Sequence, residues 1–134
     1  AKDGLSHQPA DLPQMPLSCA SEVAKKMGAS DEEMIMVAGF AGGLGLSGNA
    51  CGALSAAIWI KTLDRVRNQN YKYSLSDPDI EKIIEAFNEE TGYEMECCKI
   101  TGRCFKTIDE HTEFIRNGGC EKLMNVLTEA NPLS

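Results

Sequence analysis

A compact all-α bundle of about six helices, with a glycine-rich loop ahead of its central helix, is what three features of this chain predict. Helix-start signals recur at Ser30-Asp31-Glu32-Glu33, Asp77-Pro78 and Thr107-Ile108-Asp109-Glu110. Helix stops stand at Gly28, Gly92, Gly118-Gly119 and Pro132. Apolar residues keep helical spacing, most clearly Ile80, Ile83, Ile84 and Phe87 at i, i+3, i+4 and i+7.

The elements follow in order. Residues 1–16 carry Pro9, Pro13 and Pro16 without periodicity and read as an irregular arm. The rest, 17–134, reads as one helical domain, as the length of 134 residues implies. Leu17–Met27 is helical and stops at Gly28. The Ser30 capping box launches Met34–Phe40. Six of the twelve glycines then crowd into Gly39–Gly52, where the backbone must turn sharply or approach something closely. Asn49 caps the central helix, about Ala50–Arg67, with Leu54, Ala57, Ile58 and Leu63 on helical spacing. A polar loop, Asn68–Ser76, precedes the Asp77-Pro78 start. Tyr93–Arg103 is short and irregular, with room for an extended piece. The Thr107 box opens the next helix. The last runs from about Cys120 to Ala130, with Leu123, Met124, Val126 and Leu127 turned to the core.

Composition narrows the function. The net charge is −7 with few aromatics, which disfavours nucleic-acid binding. The apolar run at Ala53–Ile60 is far short of the roughly 20 residues of a membrane span, so no membrane insertion is expected. The chain begins at Ala1 without Met, so the compartment stays open. The expectation leans to the cytoplasm, with export compatible.

Six cysteines are the unusual feature: Cys19, Cys51, Cys97, Cys98, Cys104 and Cys120. Cys51 and Cys120 follow glycine turns at predicted helix N-termini. Unpaired N–H groups and the macrodipole favour an anion there, which should make a thiol more acidic. No Cys-x(2–4)-Cys zinc pair, Cys-x-x-Cys redox motif or haem-attachment motif occurs, so covalent haem is not expected. Ligands scattered as Cys19, Cys51, Cys98 and Cys120 can still converge in a bundle, as disulfide pairs, a metal site or an iron–sulfur site. Of adjacent Cys97 and Cys98, one is expected to function and the other to pack or pair elsewhere. His111, in the first turn of a helix, reads as a solvated side chain. Met34 and Met36 read as core or soft contact surface.

Gly43-Leu44-Gly45-Leu46-Ser47-Gly48 imitates a dinucleotide fingerprint. The helical segment before it and the lack of β-α-β alternation argue against nucleotide binding. Gly43, Gly45 and Gly52 remain the candidate backbone contacts for some other bound group at the Cys51 helix start.

These pieces resemble the prokaryotic C_GCAxxG_C_C family of redox-active proteins. The resemblance rests on Cys19 in Leu17-Ser18-Cys19-Ala20, the glycine run Gly39–Gly45, Cys51-Gly52-Ala53, Cys98-Lys99-Ile100-Thr101-Gly102, and Cys120 before the last helix. Ala56 stands where the motif has its final glycine, and Cys97 and Cys104 are additional to the four-cysteine pattern. The resemblance implies thiol redox or metal binding and names no substrate.

The first expectation is therefore a thiol-redox or electron-transfer protein in which Cys19, Cys51, Cys98 and Cys120 converge. Cys51 would attack, and Cys19 or Cys98 would resolve. An unidentified redox partner and self-association are compatible. The alternative is metal or iron–sulfur binding by the same four, and the second alternative is a non-enzymatic helical accessory module with structural disulfides. The sequence does not decide whether the protein is an enzyme.

Overall fold

The computed structural model of the chain describes residues 17–68 and 77–130. The arm at 1–16, the loop at 69–76 and Pro132 lie outside the described residues. Within them the chain is all-helical. The elements are α1 (Cys19–Lys26), α2 (Asp31–Met36), a 3-10 turn (Ala38–Phe40), α3 (Gly52–Asn68), α4 (Pro78–Thr91), α5 (Cys97–Thr101), α6 (Ile108–Arg116) and α7 (Glu121–Ala130). The extra helix beyond the expected six is α5, inside the segment read as irregular.

Local chemistry explains most boundaries. At α2, the Ser30 hydroxyl accepts from Glu33 N–H at 3.2 Å and the Glu33 carboxylate accepts from Ser30 N–H at 2.9 Å, the reciprocal box that the sequence implies. Asp77 caps α4, with Pro78 in the first turn, and left-handed Gly92 ends it. Thr107 caps α6 by accepting from Glu110 N–H, but Glu110 reaches back one residue further, to Lys106 N–H. Ser18 and Ser21 form a box at α1, built from two serines rather than the Ser/Glu pair.

Helix α3 is the axis of the packing: α1, α4 and α7 lie against it, and α7 also packs on α1 and α4. Ala20 and Ala24 of α1 and Ala53, Ala56 and Ala57 of α3 are all buried. Small side chains let these two helices approach closely. The larger apolar residues Ile60, Ile83, Phe87, Leu123 and Leu127 are buried in the same core. Arg65 near the end of α3 pairs with Asp77 at 3.0 Å and with Asp79, fastening the start of α4.

Between the 3-10 turn and α3, residues 42–46 all have positive φ: 66° at Gly42, 79° at Gly43, 71° at Leu44, 62° at Gly45 and 63° at Leu46. This left-handed turn is steric strain for the two leucines, and three glycines make it tenable. Hydrogen bonds from Leu44 N–H to Phe40 O and from Gly48 N–H to Gly42 O, both 2.9 Å, close it. The turn delivers the chain to α3 with Gly52 pressed on Phe40. A Cβ on Gly52 would collide with the Phe40 carbonyl oxygen and reach 3.0 Å from Ala41 Cα.

His111 departs from expectation. It is 1% exposed, not solvated. Its Nε2 accepts from Cys19 N–H at 3.2 Å, satisfying an orphan donor in the first turn of α1, and the Phe105 ring meets it edge-on at 4.9 Å. Thr112 Oγ1 donates to Leu17 O at 2.8 Å beside it. The start of α6 is thus turned to the start of α1 and away from water.

Two outcomes follow for stability. Gly52→Ala should cost about 1–3 kcal/mol by overpacking, outweighing any helix-propensity gain, read as a lower denaturant midpoint. Burial holds the His111 pKa below its ordinary 6.5. The unfolded chain therefore protonates first, so stability is full above pH 6.5 and falls as pH drops toward the folded-state pKa. Denaturant midpoints between about pH 7 and pH 5 should show this loss, and His111→Gln should flatten it.

Candidate functional site

Four cysteines are free in the described residues: Cys19, Cys51, Cys97 and Cys120. Each stands at the start of a helix. Cys19 is the first residue of α1 and Cys97 of α5, while Cys51 and Cys120 immediately precede α3 and α7. The sequence places two thiols at helix starts, and the structure adds Cys19 and Cys97. Each of the four lies within electrostatic reach of the other three.

The backbone turns donors onto two of these sulfurs. Cys51 Sγ accepts from Leu54 N–H at 3.5 Å, and Ala53 N–H also bears on it, as expected of a side chain capping a helix. Gly42 N–H, at the head of the left-handed turn, bears on Cys19 Sγ. Thr101, one turn along α5, bears on Cys97, and its hydroxyl also donates to the Cys97 carbonyl at 2.8 Å.

The expected acidity is overturned by burial. Loss of water pushes the Cys19 and Cys120 thiols up to about 12, with the neighbouring sulfurs adding to the rise. Burial also raises Cys51 and Cys97. A helix terminus does favour the thiolate, but the sequence could not show that these termini point inward, where desolvation dominates. Cys51 keeps the best support for a negative charge, since two amides oppose its burial, whereas nothing opposes that of Cys120.

Cys98, the third candidate, is not in this group. It is bonded to Cys104 with an S–S distance of 2.04 Å. Cys97 N–H donates to Ala50 O at 2.9 Å and Cys98 N–H to Gly48 O at 3.2 Å, so α5 is seated on the glycine loop by its first two amides. Successive helical side chains diverge by about 100°. Cys97 therefore turns inward and is buried, while Cys98 is half-buried against Gly48 and Cys104 is exposed. The rotation of α5 decides between the two neighbours, and no signal in the sequence carries it.

The candidate contact glycines divide as well. A Cβ on Gly43 would lie 2.6 Å from Ala50 O, 2.7 Å from Gly48 Cα and 2.8 Å from Cys97 Cβ. Gly43 and Gly52 thus serve internal contacts. Gly45 faces open space at φ 62°. Ala56 is fully buried, so the departure from the motif's last glycine is absorbed in the core.

Four sulfur donors would suit a soft metal or an iron–sulfur cluster chemically. Yet among the described residues no three Cys, His, Asp or Glu side chains are grouped so that they could hold a metal ion.

A lone cysteine on α1, a glycine turn, Cys-Gly-Ala at the start of α3 and two later cysteines define a cysteine-motif helical domain. The chain belongs to the family described as "Putative redox-active protein (C_GCAxxG_C_C)", whose model matches residues 17–130. Searches of curated proteins and of solved structures each return no match.

The raised thiols predict an alkaline weakness. The unfolded chain ionises these thiols near pH 9.0, while the folded chain holds those of Cys19 and Cys120 protonated to about 12. Stability is therefore intact below pH 9.0 and lost as pH rises above it. Denaturation midpoints above that pH should fall, and Cys19→Ala should lessen the slope.

Proposed function

We propose that the protein is a thiol–disulfide redox carrier in which Cys51 is the attacking thiolate and Cys97 its resolving partner. The observation that carries this reading is the placing of four free thiols at four helix starts within electrostatic reach of one another, with two amides bearing on Cys51. Membership of a redox-active family agrees with it.

Cys97 is the favoured resolving thiol because its own amide bonds to Ala50, the residue before Cys51. The chemistry balances as follows. Cys51 thiolate attacks one sulfur of a partner's disulfide, forming a mixed disulfide and expelling the partner's other sulfur as thiolate. Cys97, losing its proton, attacks Cys51 Sγ and closes an internal disulfide. The partner leaves as a dithiol. Two thiols of this protein are oxidised, and the partner's disulfide gains two electrons and two protons. Cys19, held by Gly42 N–H and by His111 at its own amide, fixes the start of α1 beside this pair.

Stoichiometric oxidation with lipoamide disulfide under anaerobic conditions tests the reading. Four free thiols should fall to two, with Cys51 joined to Cys97 in the peptide map. Cys51→Ser should reduce the exchange to background while the fold persists. Retention of four free thiols, or stoichiometric iron or zinc on the purified protein lost with Cys51→Ser, would overturn it.

A further inference from the structure

The six cysteines form two units, and the second lies at the surface. Cys98–Cys104 closes a ring over 98–104 with Cys104 exposed. This ring contains nearly all of α5, which is five residues long and rests on the glycine loop through the amides of Cys97 and Cys98. A Cβ on Gly48 would collide with Cys98 Sγ and lie 3.6 Å from Cys104 Sγ. The disulfide thus sits directly on the loop that shapes the Cys51 helix start.

The local charge is unusual for this chain. Lys99, Arg103 and Lys106 are exposed, and residues 97–107 contain no carboxylate, in a protein of net charge −7. Glu96 reaches Lys99 at 3.5 Å and Glu110 reaches Arg103 at 3.6 Å from outside that stretch. Neighbouring cations favour thiolates, which assists both an attacking anion and a departing sulfur.

We propose that Cys98–Cys104 is an exchange site for an external dithiol carrying negative charge, and that opening it loosens α5 and uncovers Cys97. The external thiolate attacks exposed Cys104 Sγ, and the S–S bond breaks with Cys98 leaving as thiolate. The second external thiol then attacks the mixed disulfide and releases Cys104. The external dithiol ends as its disulfide, and Cys98 and Cys104 gain two electrons and two protons. With the ring open, α5 keeps its two amide bonds, the burial of Cys97 and the packing of Ile100 on the core, but loses its covalent closure. The exchange step stands independently of the buried-thiol reading. The uncovering of Cys97 deepens that reading by giving a buried pair a controlled route to its partner.

The experiment uses the full chain with two dithiol probes, dihydrolipoate (anionic) and dithiothreitol (neutral), followed by pulsed alkylation and peptide mapping. Cys98 and Cys104 should be opened in the folded protein by both. The rate with dihydrolipoate should fall severalfold as salt is raised, and that with dithiothreitol should not. Once the ring is open, Cys97 should alkylate about tenfold faster, the expected reading of a local opening. A double variant, Cys98→Ser with Cys104→Ser, should show the fast Cys97 rate without any dithiol. A disulfide that resists both probes until the protein unfolds, or a Cys97 rate unchanged by opening and by the double variant, would overturn the proposal. Lipoamide disulfide oxidation of the same double variant reports on the Cys51–Cys97 reading separately, since the exchange ring is absent there.

Discussion

Desolvation at four inward-facing helix starts is the constraint on which this site depends. A helix N-terminus offers unpaired amides and a positive field to an anion. Here Cys19, Cys51, Cys97 and Cys120 occupy such positions, and three of the four are buried outright. Burial resists the thiolate while the amides at Cys19 and Cys51 invite it. The site therefore keeps its thiols protonated at rest, with the anion best supported at Cys51.

The rest of the architecture maintains that balance. The left-handed turn at Gly42–Leu46 places Gly42 N–H on Cys19 and returns the chain so that Gly52 can begin α3 against Phe40. Alanines on α1 and α3 let the helices bearing Cys19 and Cys51 come close. His111 accepts from the Cys19 amide and links α6 to that start, and its burial favours the neutral ring. Seating of α5 on the loop carbonyls of Gly48 and Ala50 brings Cys97 in and leaves the Cys98–Cys104 ring outside. Loop, helix starts and the Cys98–Cys104 ring are thus joined by direct contacts.

Much of this was legible residue by residue. The Ser30 box, Asp77-Pro78, Gly92 and the Ile80–Phe87 stripe each express local chemistry, so the helices they bound appeared where their sequence implies. Other features were hidden for physical reasons. The Ser18–Ser21 box uses a hydroxyl where a carboxyl usually signals the pattern. α5 has too few residues to display a periodicity. His111 is polar and near a helix start, so its sequence resembles a solvated position. Its tertiary neighbours, the start of α1 and the Phe105 ring, bury it.

By itself the sequence determined the helical class, most helix ends, the glycine turn before the central helix and the family to which the chain belongs. These are local or ordered along the chain, and short-range sterics and hydrogen bonding decide them. Only the tertiary structure decided which thiols are free and which are bonded. Cys97 and Cys98 are neighbours in sequence and differ by one step of helical rotation, yet one is buried beside Gly43 and the other is bonded to Cys104 at the surface. It also reversed the expected acidity of the thiols, because the field of a helix terminus can be read from a sequence while the water excluded from it cannot.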